Sequence, residues 1–310
     1  MMHSNLTYEA SWSLLSRIGN TPLLAIRKLT AEMPGTRIYA KAEWFNPGGS
    51  VKDRPALKII EDAEKEGKLT KDRILLDASS GNTAIAYAMV CAVKGYRCTL
   101  VVPKNVAKEK IDLLTAYGAE IVLTDPLEGT DGSQRAARKM AEDAPELYYY
   151  ADQYNNDSNW KAHYEGTARE IVAQTRGHFD YFVAGLGTGG TFTGISRYLK
   201  EAFPEIKRVS VQPDGPFHGL EGLKRMDASI RPGILDESLA DMHVEISTEE
   251  AQKAVRQLAR LEGILVGPSS GAALVACMKI AREAGGGSFV TVFPDGGQKY
   301  LSEKFWEDEE

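Results

Sequence analysis

Short apolar runs alternate along this chain with longer stretches whose apolar positions recur every three or four residues. The short runs, at 37–43, 74–78, 97–102, 120–123, 147–150, 181–184, 207–212 and 289–293, predict strands. The periodic stretches, at 53–66, 84–94, 108–117, 133–143, 161–175, 192–203, 248–262 and 272–283, predict helices, with Gly67, Gly118 and Gly263 as stops. Ahead of them, 14–24 reads as a helix end, a break at Gly19, Asn20 and Pro22, and an extended segment. Residues 214–236 form a long irregular stretch punctuated by Gly and Pro, a kind of loop that is more often functional than idle. The acidic tail 307–310 is expected to be disordered.

Strand followed by helix, repeated almost throughout, predicts an α/β fold with mainly parallel sheets and right-handed crossovers. Most of the strand runs lack polar alternation, so they are expected to be buried on both faces. Their number suits two sheets better than one. No shift of composition marks a linker, so two lobes would pack closely and share strands. No repeat of 20–50 residues is visible.

The chain has 310 residues, 43% hydrophobic and 26% charged, enough for two packed lobes. A net charge of -6 argues against nucleic acid as the main partner. No apolar run is long enough to span a membrane, and the first nine residues lack the features of a signal peptide. Cys91, Cys98 and Cys277 form no C-x-x-C pair, and their odd number argues against a disulfide framework. A cytoplasmic setting is expected. The five histidines are scattered without metal-ligand spacing, so no metal is expected.

In parallel α/β sheets, ligands bind beyond the carboxyl ends of the strands. Four loops fall there, at 46–52, 79–83, 185–191 and 267–271, all rich in Gly and Ser or Thr. Amides at helix N-termini attract phosphate and carboxylate, so an anionic ligand with more than one acidic group is expected. Lys52 stands where the helix after the first loop begins. An ammonium is poorly placed at the positive end of a helix dipole, but a lysine engaged as a Schiff base is not. Gly185, Gly187 and Gly190 also satisfy G-x-G-x-x-G, which would suit a dinucleotide. Asp214, the acid that could meet its ribose, lies 24 residues past Gly190 and directly follows Pro213, a poor fit.

The segments Asn46-Pro47-Gly48-Gly49-Ser50-Val51-Lys52-Asp53-Arg54, Ser79-Ser80-Gly81-Asn82-Thr83, Gly187-Thr188-Gly189-Gly190-Thr191 and Gly267-Pro268-Ser269-Ser270-Gly271 resemble the cysteine synthase family. This is a fold type II group of enzymes dependent on pyridoxal 5'-phosphate (PLP), and the B type is closest in character. The resemblance runs from about Ile18 to Leu301 with the motifs in the family's order. It implies two three-layer α/β lobes with mainly parallel twisted sheets, like the tryptophan synthase β fold. Residues 48–150 would form a smaller mobile domain, 1–47 plus 151–310 the larger one, with PLP in the cleft between them.

The resemblance also implies roles. Lys52 would bind the cofactor aldehyde and act as base at the substrate's α-carbon. Gly187, Thr188, Gly189, Gly190 and Thr191 would hold the cofactor phosphate. Asn82 would meet the ring hydroxyl, and Ser269 the ring nitrogen. Ser79, Ser80, Asn82 and Thr83, with Gln153, would receive the substrate α-carboxylate. The implied reaction is β-replacement on an O-activated L-serine by a sulfur donor such as sulfide, giving L-cysteine. A homodimer acting on small-molecule substrates is expected.

Ala84, Asn156-Asp157 and Ser79 depart from the family pattern without removing any of these functional groups. Lys224 and Arg225 lie in a segment where family members that prefer O-phosphoserine carry an arginine, aligned with Lys224. A phosphate leaving group needs a cation and acetate does not. O-acetylserine and O-phosphoserine both stay open here. So do cystathionine β-synthase-like condensation with homocysteine and a PLP-binding protein without catalysis.

Overall fold

A computed structural model of the protein describes residues 13–307. The amino-terminal segment read for a signal peptide and the last three residues of the acidic tail lie outside the described residues. In chain order the strands and helices are β1 (Leu23–Ile26), β2 (Thr36–Ala42), α1 (Asp53–Lys65), β3 (Ile74–Ala78), α2 (Asn82–Lys94), β4 (Arg97–Pro103), α3 (Lys108–Ala116), β5 (Glu120–Thr124), α4 (Gly129–Asp143) and β6 (Tyr148–Tyr150). Then come α5 (Asp157–Ala162), a π-turn (His163–Thr167), α6 (Ala168–Thr175), β7 (Tyr181–Gly185), α7 (Gly190–Ala202), β8 (Lys207–Pro213), β9 (Met242–Ile246), α8 (Thr248–Gln257), α9 (Pro268–Ala284) and β10 (Gly287–Phe293).

The strands form two sheets. One has the order β1-β2-β10-β7-β8-β9 and the other β5-β4-β3-β6. Among the described strands only the β1–β2 pair is antiparallel; the other pairs are parallel, as the alternation of strand and helix predicts. Successive strand residues point to opposite faces, and both faces are packed. On the larger sheet, Val183 and Phe289 join the core under α8 and α9, while Phe182 and Val290 join the core under α6 and α7. On the smaller sheet, Leu75 and Leu100 face α1 and α2, and Leu76 and Val101 face α4. Each sheet is thus the middle of three layers. Helix α2 is buried from Thr83 to Cys91, which suits its small, apolar sequence.

Several boundaries differ from expectation. The helix expected at 161–175 starts earlier, at Asp157, because Asn156 caps it by accepting the Ser158 amide. The helix at 248–262 changes to π geometry over Leu258–Glu262 before Gly263 ends it in the left-handed region. The loop at 267–271 is mostly the first turn of α9, with Pro268 inside the helix start. Strand β9 is absent from the expectations, whereas 214–236 is irregular as read. Among the described residues no helix is long and apolar enough to cross a membrane, and the three cysteines are free and buried.

Candidate active site

The parallel register brings the carboxyl ends of β2 and β10 level, with Ala42 opposite Phe293. The chain after each is stitched to the other: the Val51 amide donates to the Pro294 carbonyl at 2.8 Å, and Ser50 bridges to Asp295. This seam fixes the turn that presents Lys52. Gly49 holds φ +77° in that turn, and a Cβ on Gly48 would stand 2.4 Å from Asp53 Oδ1. Behind the turn lies a buried ion network. Arg54 donates to Glu43 at 2.6 and 2.9 Å and to Glu170 at 2.6 and 2.8 Å. Buried Lys41 reaches Glu170 at 2.7 Å. Burial alone would raise the Glu170 carboxyl, but the bonds and charge of Arg54, joined by Lys41, bring it down to about 2.

Lys52 is the residue just before α1, and it is half-buried, with its side chain in the wall of a cavity. Burial lowers its pKa to about 8, against the opposing pull of the Asp295 carboxylate. Two adjoining recesses of about 190 and 50 Å³ share Lys52, Asn82, Gly187 and Thr188 in their walls. The larger adds Ser79, Ser80, Thr83, Gln153 and Lys224; the smaller adds Gly189, Thr191 and Ser269. Gly190 is buried at the start of α7. The structure therefore brings together, around one cavity, nearly all the residues picked out from the sequence.

The turn after β7 has no room for side chains. A Cβ on Gly187 would stand 2.2 Å from the Gly222 carbonyl oxygen, and one on Gly190 2.0 Å from Asn159 Oδ1. Gly189 adopts φ +85°. Among the described residues, the amides of Gly187, Thr188 and Gly189 have no hydrogen-bond acceptor. Bare amides at the start of a helix, beside Lys52, fit a phosphate on an aldehyde-bearing cofactor such as PLP. Thr191 Oγ1 lies 3.3 Å from His163 Nε2, whose Nδ1 is 3.0 Å from Thr167 Oγ1. Burial, aided by Arg54 and Lys52, holds His163 far below its ordinary range, so it stays neutral there.

On another wall of the cavity, Thr83 Oγ1 donates to Gln153 Oε1 at 2.8 Å, and Gln153 Nε2 donates to the Ala78 carbonyl at 3.2 Å. Lys224 extends over the Tyr154 ring, 4.7 Å from its centroid, with Asp131 at 3.7 Å. Burial pushes its ammonium down, against the pull of Asp131.

Arg225 requires a correction. It does not line the cavity: its guanidinium pairs with Asp227 at 2.8 Å and Glu245 at 2.6 Å and donates to the Pro213 carbonyl. Of the two adjacent cations, Lys224 lines the cavity and Arg225 is held by its own carboxylate partners outside it.

Sequence reading missed Asp295, Lys299, Tyr300 and Glu221, which also surround the cavity or its walls. Asp295-Gly296-Gly297-Gln298-Lys299-Tyr300 enters that reading only as the end of the resemblance. A buried carboxylate directly after a strand and Pro294 is the signal that could have marked it.

The pyridoxal-phosphate dependent enzyme family matches residues 14–295. A cysteine synthase of Aquifex aeolicus is 48% identical, covering 99% of this chain and 96% of that protein. Cysteine synthase B of Salmonella typhimurium is 40% identical over 94% of each. The crystal structure of a cysteine synthase from Entamoeba histolytica superposes with a TM-score of 0.92 at 34% identity, covering 100% of this chain and 95% of that one. These matches bear out the resemblance read from the motifs and displace the dinucleotide reading of Gly185, Gly187 and Gly190. The chain belongs to the pyridoxal-phosphate dependent enzymes and, within them, to the cysteine synthase family.

Proposed function

We propose that this protein makes L-cysteine by β-replacement, exchanging the β-substituent of an O-activated L-serine for a sulfur nucleophile such as sulfide. The observation that carries the reading is the half-buried Lys52 amine, its pKa lowered to about 8 by desolvation, set between a turn of bare amides and the Thr83–Gln153 pair. PLP, when bound, supplies the electron sink for bond changes at the α- and β-carbons. Lys52 Nζ holds the cofactor at rest and carries the substrate's α-proton during turnover. A pKa near 8 lets one amine act as both base and acid close to neutral pH.

Gly187 to Thr191 hold the cofactor phosphate on amides and hydroxyls. Ser269, in the first turn of α9, meets the ring nitrogen as a neutral hydroxyl. Asn82 meets the ring hydroxyl. Ser79, Ser80, Asn82 and Thr83, with Gln153, take the substrate α-carboxylate. Both O-acetylserine and O-phosphoserine are within reach of this site, and the cation of Lys224 on the cavity wall supports the phosphate ester.

Residues 48–150, which carry the smaller sheet, form the mobile domain in this reading, and 1–47 with 151–310 the larger one. Lys110 on α3 meets Glu221 at 2.6 Å and Asp131 on α4 faces Lys224, so partly exposed pairs span the cleft. Such pairs contribute little stability and can part and re-form as the cleft works. A cytoplasmic homodimer completes the proposal. Unpaired, buried cysteines fit a reducing compartment, and exposed apolar side chains such as Phe45 offer surface to a second copy.

The test is cysteine formation by the PLP-loaded protein from sulfide with either ester. Cysteine from one or both esters supports the reading; a protein that binds PLP yet makes none from either would refute it.

A further inference from the structure

Asn82 stands between the buried Asp295 and the half-buried Lys299, both contributed by the segment after β10. Its Nδ2 donates to Asp295 Oδ2 at 2.7 Å, and its Oδ1 accepts from Lys299 Nζ at 2.5 Å. The orientation of the amide follows from chemistry. Burial pushes the Asp295 carboxyl up and the Lys299 ammonium down, and the charge of each opposes the shift of the other. In the ionised pair the ammonium has only donors, so the atom facing Lys299 is the carbonyl oxygen, and the carboxylate has only acceptors, so the atom facing Asp295 is the amino group. A flipped amide would set oxygen against carboxylate and N–H against ammonium. Both flanking groups are themselves held. Tyr300 Oη donates to the same Asp295 Oδ2 at 2.8 Å, and Lys299 Nζ reaches the Gly49 carbonyl at 3.5 Å. Asp295 Oδ1 is buried without a partner, so this carboxylate keeps acceptor capacity beside the cavity. An amino group has two hydrogens. With one committed to Asp295, the other is left for a ligand, and Asn82 lines both recesses with Lys52.

We propose that Asp295 and Lys299 are positioning residues that lock the Asn82 amide in one orientation, so that it always offers an N–H to the ring hydroxyl of the bound cofactor. Asp295 also attracts the Lys52 ammonium at a distance. The hydrogen bonds of both residues act through Asn82, in the way that outer partners fix the ligands of a metal site. The inference rests on the reading of Asn82 as the partner of that hydroxyl. It also links the Lys52 turn to the end of the larger sheet, because Lys299 touches both Gly49 and Asn82.

The test is a mutant cycle on cofactor affinity, measured by titrating PLP into the cofactor-free full chain and following absorbance. Asp295→Ala and Asn82→Ala should each raise the dissociation constant roughly tenfold or more. The double variant should bind no worse than Asn82→Ala alone, since coupled residues are not additive. Lys299→Met approaches the amide from its other side and should show the same dependence on Asn82, which keeps the test decisive if Asp295→Ala fails to fold. Additive losses would overturn the proposal and mean that Asp295 or Lys299 meets the cofactor directly. An unchanged affinity in Asn82→Ala would instead overturn the reading of Asn82 on which the proposal rests.

Discussion

Thr83 Oγ1 donates to Gln153 Oε1 at 2.8 Å, joining the first turn of α2 to the loop after β6 across 70 residues of chain. Gln153 is fixed again by its own amide, which donates to the Ala78 carbonyl at the end of β3. Two polar groups that the sequence suggests for one carboxylate are therefore held in place against each other. Removing a hydrogen bond to a charged group costs about 1.5–3 kcal/mol, or roughly 10- to 150-fold in binding. Gln153→Ala and Thr83→Ala should raise KM for the amino-acid substrate by that factor and leave PLP affinity near wild type. Steady-state kinetics with PLP titration checks both arms.

The Lys52 amine titrates near 8 where a free lysine titrates near 10.5. The rate at which the cofactor-free protein takes up PLP should therefore rise with pH through about 8, as the amine loses its proton, and level off above. The same shift affects stability. The unfolded chain binds more protons at this site than the folded one between pH 8 and 10.5, so stability of the cofactor-free protein should increase across that window. Below pH 8 the desolvated ammonium costs about 3 kcal/mol. Lys52→Met should remove that penalty, and denaturant midpoints at pH 7 and pH 10 measure it.

Lys224 and Arg225 are adjacent but should behave differently. Lys224→Ala should raise KM for O-phosphoserine more than KM for O-acetylserine, because only the phosphate needs a cation. Arg225→Ala should lower the thermal midpoint, through loss of Asp227, Glu245 and the Pro213 carbonyl, and spare both KM values. Paired kinetics and melting curves separate the two effects.

Gly187 has no space for a methyl group. Its Cβ would fall 2.2 Å from a backbone oxygen, which cannot move aside as a flexible side chain could. Gly187→Ala should shift the turn and weaken PLP binding by roughly tenfold or more, an effect of at least 1.4 kcal/mol. Titration of the cofactor-free variant measures it directly.

The fold was legible wherever burial on both faces leaves a continuous apolar run, as at Tyr181–Gly185. Strand β9 was not, because Met242-His243-Val244-Glu245-Ile246 is a half-buried edge strand whose alternation differs from the runs used to find the others. The glycine turns could be read locally, since close approach and positive φ leave their mark in residue type. Asp295, Lys299 and Tyr300 could not. The roles of Asp295 and Lys299 come from contact with Asn82, more than 200 positions away, and nothing nearby in the sequence encodes it. Lys224 and Arg225 show a further limit. Two adjacent cations look equivalent in a sequence until the backbone turns one inward.

The central claim is that Lys52 carries the cofactor, and the visible absorption spectrum of the purified, PLP-treated protein tests it most directly. The wild type should show a band from the lysine–cofactor linkage, borohydride should abolish that band as it reduces the linkage to a stable amine, and Lys52→Ala should lack the band while the other lysines remain. A band of equal strength in Lys52→Ala, or none in the wild type, would contradict the account.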